Sequence, residues 1–174
     1  MARECTLQLG INITSVLSEV NSALLETGNS NSNLGLSFSG SLSTGTGVNN
    51  CDRRYTNSVD IASGTPLDLD FAGSLTDGLG QTVVFARIKL IFIWNTSTTA
   101  ASILTVGADG GAPLANFLGD AASDTVKVGP GGVFLNYNPS ATAFAVTATT
   151  ADVLQISCAS GTATTKIVIV GCSA

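Results

Sequence analysis

Residues 83–95 read VVFARIKLIFIWN, and this stretch decides the fold. It opens with apolar and polar residues interleaved, and from Leu90 to Trp94 it is apolar on both parities. A strand has this texture when it passes from an exposed edge into the middle of a sandwich, where both of its faces are covered.

The flanking sequence repeats the extended pattern in weaker form. Leu34–Leu42 (LGLSFSGSL) alternates strictly, with Leu34, Leu36, Phe38, Gly40 and Leu42 on one face of a half-buried strand. Tyr55, Val59 and Ile61 share a parity within Arg53–Ala62, and after the turn Ser63–Pro66, Leu67, Leu69 and Phe71 alternate with Asp68 and Asp70. Beyond the central stretch, short strands are expected over Ile103–Val106, Thr125–Val128, Val133–Tyr137, Ala143–Val146, Val153–Ser157 and Thr164–Val170. Turn clusters separate them at Gly110–Pro113, Gly129–Gly132, Asn138–Ser140 and Ser160–Thr162. Turn signals roughly 8–12 residues apart mark an all-β sandwich or barrel, and about nine to eleven strands fit two packed sheets. Ala112–Ala122 is expected to hold one helical turn within a long loop.

The first residues differ in texture. Leu7, Leu9, Ile11 and Ile13 alternate as a strand does, whereas Ile13, Leu17, Val20 and Leu24 also fit a helix capped by Thr14 or Ser15. The reading is a strand followed by a short helix, then a polar turn at Gly28–Asn33 (GNSNSN). The expected organisation is therefore an N-terminal arm or first strand(s) over residues 1–33 and a single β-sandwich domain over 34–174. In fold class the chain is all-β, a jelly-roll-like sandwich with an extended N-terminal arm.

Composition narrows the function. The 174 residues include no histidine and only 7 basic and 12 acidic side chains, against 19 glycines and an abundance of serine, threonine and asparagine. Histidine is the usual general base and the commonest metal ligand. Its absence, together with a charged share of 11% against the usual value of roughly 25%, turns the reading from catalyst to structural or binding protein. A surface of hydroxyls and amides costs little to desolvate against another protein. The net charge of −5 argues against a nucleic-acid partner, whose phosphates demand a basic stripe. The apolar run Leu90–Trp94 is too short to cross a membrane, and the N-terminus does not read as a signal peptide, so synthesis in the cytosol is expected.

Individual motifs carry little chemistry. Asp68 and Asp70 share a strand face, and Asp109, Asp120 and Asp124 fall in one loop without the dense acidic spacing of a calcium site. Asp68, Asp70 or Asp77 could pair for glycoside hydrolysis, but glutamate occurs only at Glu4, Glu19 and Glu26. The serines have no base and no G-x-S-x-G elbow. Gly45, Gly47 and GADGG at 107–111 lack phosphate-loop spacing, and the N-x-[ST] matches at Asn12 and Asn95 read as chance. Cys5, Cys51, Cys158 and Cys172 have no C-x-x-C pair; they read as packing thiols, with two disulfides in one of three connectivities as the alternative. Trp94 ends an apolar strand and reads as core or interface before it reads as a sugar platform. No catalytic, cofactor-binding or metal-binding residue is assigned, and no cofactor is expected.

Two stretches carry a resemblance. Residues 44–89 (TGTGVNNCDRRYTNSVDIASGTPLDLDFAGSLTDGLGQTVVFARIK) and 124–157 (DTVKVGPGGVFLNYNPSATAFAVTATTADVLQIS), closing on TKIVIVG at 165–171, together resemble a family of small β-rich structural proteins of tailed bacteriophages. The matching elements are a T-G-T-G…D-R turn at Thr44–Arg53, an L-x-D-x-x-G connector at Leu75–Gly80 before the FARIK strand, and V-x-P-G-G at Val128–Gly132. The resemblance implies a virion protein, a capsid decoration (cement) protein on the outer surface of the head, assembled in the host cytoplasm. It implies the major capsid protein and further copies of itself, as a homotrimer, as partners, with no nucleic acid or membrane. The alternative is a tail-associated glycan-binding module for host recognition.

Overall fold

The computed structural model describes residues 5–20, 29–73, 75–107, 111–119, 121 and 123–174. Its described elements are strands and turns, with no helix among them. The chain is all-β. It divides into two compact units, Leu7–Ser41 and the remainder.

The first unit is built from β1 (Leu7–Val20) and β2 (Asn29–Thr44), hydrogen-bonded neighbours in one sheet, and the last residues of β2 belong to the second unit. Burial alternates from Leu7 to Asn12, apolar residues less exposed than polar ones, as an extended segment requires. The helix expected from Ile13 is replaced by the continuation of β1 to Val20; Leu24 lies outside the described residues. β-branched Ile13, Thr14, Val16 and Val20 favour the pleated form over the helix that the apolar spacing also allowed. The polar cluster expected as a turn is also strand from Asn29 onward, Gly28 lying outside the described residues. Phe38 is 48% exposed although its parity is that of the expected buried face. Two strands alone have no second layer of their own to cover a face.

In the second unit, β3 (Asn50–Cys51) pairs in parallel with Ser43–Thr44, and the sandwich follows. In chain order come β4 (Arg53–Ala62), β5 (Leu67–Asp70), β6 (Leu75–Thr76), β7 (Thr82–Val83), β8 (Arg87–Asn95), β9 (Leu104–Gly107) and β10 (Thr125–Val128). They are followed by β11 (Val133–Tyr137), β12 (Phe144–Ala145), β13 (Val153–Cys158) and β14 (Thr162–Cys172). One sheet has the order β11-β8-β14-β4, with β12 also on β8; the other has β10-β9-β13-β5, all neighbours antiparallel. The pairs nest from the outside in: β4 with β14, β5 with β13, β8 with β11, β9 with β10.

The two sheets share one core. Tyr55, Ile61, Ile91, Ile93, Ile167 and Ile169 from the first sheet meet Leu69, Leu104, Val106, Leu154 and Ile156 from the second. Buried and more exposed residues alternate along most of β13 and β14, so period two in the sequence becomes the inner face of a sheet. Each fully buried side chain of this size contributes about 1.5–3 kcal/mol relative to exposure. Polar anchoring comes from Asn95, buried at the end of β8. Its Nδ2 donates to the Ser102 and Val128 carbonyls at 2.7 and 3.1 Å, tying this strand to the end of the β9–β10 pair where Leu104 opposes Val128. An amide so engaged fits the reading of its N-x-[ST] match as chance.

The stretch that decides the fold is not one strand. β7 ends at Val83 and β8 begins at Arg87, and between them the Phe85 and Ala86 amides donate to Phe71 O (2.9 Å) and Cys172 O (2.7 Å). This break turns Phe85 into the core, edge-on to Phe71 at 5.8 Å, and leaves Val84 43% exposed. A second irregularity follows within β8. Leu90 opposes Val170 but Ile88 opposes Gly171, so Lys89 is the extra residue of a β-bulge. The helical turn expected in Ala112–Ala122 is present at Asn116–Gly119, closed by Gly119 N to Ala115 O at 3.2 Å.

Gly171 sits where the bulge brings backbones together: a Cβ there would run into the Arg87 carbonyl, with Phe85 Cδ1 at 2.9 Å and Ile88 Cα at 3.0 Å. Gly129, in the β10–β11 turn, faces nothing within 4 Å. Gly171→Ala is expected to lower unfolding free energy by roughly 1–3 kcal/mol or more, and Gly129→Ala to change it by less than about 0.5 kcal/mol. Urea titrations of the two variants check this; equal midpoints would remove the role assigned to the bulge.

Candidate functional site

The outward face of the β11-β8-β14 sheet is the first candidate. Antiparallel register places directly opposed residues on one face, so three rungs follow from the pairing. Trp94 is flanked by Val133 and Lys166, Phe92 by Leu135 and Val168, and Leu90 by Tyr137 and Val170. Exposure falls along them: Trp94 is 37% and Val133 53% exposed, the Phe92 rung is half-buried, and Leu90 and Val170 are buried. Trp94 is thus an outer-face residue and not part of the core, although its strand is apolar on both parities. Lys166 Nζ lies 5.4 Å from the centre of its ring, a cation–π contact at the rim of the patch.

The covered end of this face carries the second candidate. The bulge frees Lys89 from the alternation, and its buried ammonium donates to the Gly47 carbonyl in the Thr44–Asn50 turn. The same turn is tied down by Asn49 N to Pro139 O (2.9 Å) and Gly45 N to Cys51 O (3.0 Å). Cys172 and Cys51 are fully buried here and Cys5 half-buried. Cys51 donates its S–H to Cys5 Sγ at 3.3 Å, and Cys172 donates to Asn50 O at 3.4 Å. Thr44 Oγ1 clamps the Cys5 backbone, accepting from its N and donating to its O, both at 3.2 Å. Cys158 stands apart in β13, donating to Ser160 O at 3.1 Å.

A cleft of about 540 Å³ opens beside the thiols, lined by Cys5, Arg53, Arg54, Thr56, Asp77 and Leu79 among others. Its charges are mostly spent on structure. Arg53 Nη1 meets Asp52 Oδ2 at 3.2 Å, while Asp52 also accepts from Ser173 N at 2.8 Å and Ser173 Oγ at 2.5 Å. Asp77 Oδ1 accepts from Leu79 N and Gln81 N, both at 2.9 Å, which fixes the turn between β6 and β7.

The acidic residues weighed for chemistry do not converge. Asp68 Oδ1 accepts from Gln155 Nε2 and Asp70 Oδ1 from the Ala72 amide, both at 2.9 Å. Asp124 Oδ2 caps a turn by accepting from Ala121 N at 3.0 Å, and Asp109 and Asp120 lie outside the described residues. Among the described residues no group of three Cys, Asp or Glu side chains is arranged to hold a metal ion. The thiol cluster is what sequence reasoning missed. Cys5, Cys51 and Cys172 are distant in the chain, and only the fold, not any spacing, brings them together.

Burial first, then the hydrogen bond and charge of Cys5, push the Cys51 thiol up to about 12. Burial likewise raises Cys172, against the pull of Lys89, and raises Tyr55 and Tyr137. An acid raised in the folded state keeps its proton where the unfolded chain has released its own, so its contribution is complete below about pH 9 and lost as pH climbs toward 12. Under reducing conditions the melting temperature is expected to fall steadily above about pH 9, each group contributing at most about 1.4 kcal/mol per pH unit. Cys51→Ala should make that fall shallower; an unchanged slope by calorimetry would contradict the assignment. No family model, curated protein or solved structure matches the chain, so its function is read from its own chemistry.

Proposed function

We propose that this chain is a virion structural protein, a capsid decoration (cement) protein that bridges major capsid protein subunits on the outer surface of a head and associates with further copies of itself. The observation that carries the reading is the graded apolar ladder on an outer sheet face, ending in exposed Trp94 and Val133. An apolar patch that carries aromatic residues and has a polar rim suits a protein–protein contact, whose core is depleted of charged groups. Around the ladder, Thr56, Ser58, Thr162 and Thr164 are exposed on β4 and β14 and desolvate cheaply, while Arg54, Asp60 and Lys166 supply charges at the rim. Strand order supports a rigid body for this role. Nested pairing, closed by β14 on β8 and β13 on β9, supports reading the sandwich as one antiparallel ribbon rolled into a jelly roll. Many modest contacts repeated by symmetry then add up to a stabilised shell.

Trp94 also favours a second reading, a tail-associated glycan-binding module. An exposed indole beside Lys166 on a sheet face is the kind of platform on which a sugar ring stacks.

The readings separate in a purified particle. A cement protein is present at a copy number matched to the head's symmetry, and heads stripped of it rupture at lower temperature. A few copies at the tail would overturn it. Rebinding to stripped heads should weaken by about 30-fold or more for Trp94→Ala or Val133→Asp. If instead the wild-type protein binds members of a glycan array and Trp94→Ala does not, the glycan reading replaces the first.

A further inference from the structure

The Cys5–Cys51 pair has a geometry that neither packing nor the proposed contact surface requires. Cys51 is sealed from solvent and points its S–H at Cys5 Sγ, 3.3 Å away, while Cys5 is only half-buried and borders the open cleft. Thr44 holds the Cys5 backbone in place from both its N and its O. The other two thiols face backbone oxygens: Cys172 points at Asn50 O and Gly45 O, and Cys158 at Ser160 O.

We propose that Cys5 and Cys51 form an intramolecular disulfide when the protein meets a small disulfide oxidant, while Cys158 and Cys172 remain thiols. The accessible Cys5 reacts first. Its thiolate attacks one sulfur of the oxidant RSSR, the S–S bond breaks, and RS⁻ leaves and takes up the proton that Cys5 lost. Cys51, already in contact, then attacks the Cys5 sulfur of the mixed disulfide; a second RS⁻ departs and takes the Cys51 proton. Two protein thiols and one RSSR thus give one protein disulfide and two RSH, with two electrons passing to the oxidant. The first step also primes the second. Burial is the main cause that keeps the Cys51 proton on, but the hydrogen bond to Cys5 and the Cys5 charge add to it, and both disappear once Cys5 is a neutral mixed disulfide.

The bond closes a covalent ring from Cys5 to Cys51 that contains the whole Leu7–Ser41 unit. A cross-link of this span restricts the unfolded chain, so the oxidised protein should melt roughly 5–10 °C above the reduced one. This inference does not depend on the capsid reading, because it is tested on the isolated chain.

The test incubates the full-length, folded, reduced protein with oxidised glutathione, then alkylates remaining thiols with N-ethylmaleimide in denaturant. Cleavage after glutamate and arginine separates residues 5–19 from residues 27–53, since Glu19, Glu26 and Arg53 lie at the cuts. Mass spectrometry is expected to find these two peptides joined until reductant is added, with alkyl groups on Cys158 and Cys172. Cys5→Ser, a change at a half-exposed position, should fold, stay fully reduced at its other three cysteines, and show no oxidant-dependent rise in melting temperature. Four alkylated cysteines in the wild type, a joined peptide that contains Cys158 or Cys172, or a disulfide-linked dimer would each overturn the proposal.

Discussion

Strand β14 lies between β4 and β8, and its pairing with both is the constraint on which the rest of the sandwich depends. It has ten register partners on β4 and eight on β8, and its inner residues Ala163, Thr165, Ile167 and Ile169 are all buried. The pairing with β8 is regular from Thr165 to Val170 and then slips by one residue at Gly171. That slip decides what happens at one end of the molecule. It frees Lys89, lets Ala86 bond to Cys172, and brings the Arg87 carbonyl so close to Gly171 that a side chain has no room.

The bulge also divides the outer sheet face into two regions of different chemistry. On the regular side the opposed residues form apolar rungs, and their exposure rises toward Trp94 and Val133. On the bulged side the chain covers itself: the Thr44–Asn50 turn sits over Lys89, and Cys51 and Cys172 are enclosed beside it. A buried ammonium costs less when it has a hydrogen-bond acceptor, and the Gly47 carbonyl that supplies one ties the turn to the sheet at a defined point. One region is thus left open to solvent, and the other is spent on holding a thiol pair in contact.

Much of this was legible in the residues, for identifiable reasons. The alternation in Arg53–Ala62, Thr125–Val128 and Val133–Tyr137 gave strands with the same bounds, because each is flanked by turn chemistry that stops the ladder. Residues 83–95 misled in one respect. Periodicity sees Val84 and Phe85 as interior to a strand, whereas the chain changes partners there to bury one ring. From Ile13 the apolar spacing pointed to a helix where the chain continues as strand to Val20, and there the β-branched residues, not the spacing, carry the signal. Trp94 could not be placed by its neighbours in sequence, since a residue's face is set by register with β11 and β14. The thiol cluster was illegible for the same reason: proximity between residues 5, 51 and 172 is a product of topology.

That topology has a kinetic meaning. The nested order pairs the first strand of the sandwich with the last, Arg53 with Gly171 and Ala62 with Thr162. Such a core cannot be assembled by adding local hairpins one after another, because its central strand waits for partners about a hundred residues distant. Loop-closure entropy must be met before those contacts reward it, which places the chain among slow-folding β proteins, on timescales of roughly milliseconds to seconds. Until β14 docks, the edges of β4 and β8 that it will occupy stand open, and the interval before closure is when this sequence is most exposed to pairing with the wrong strand.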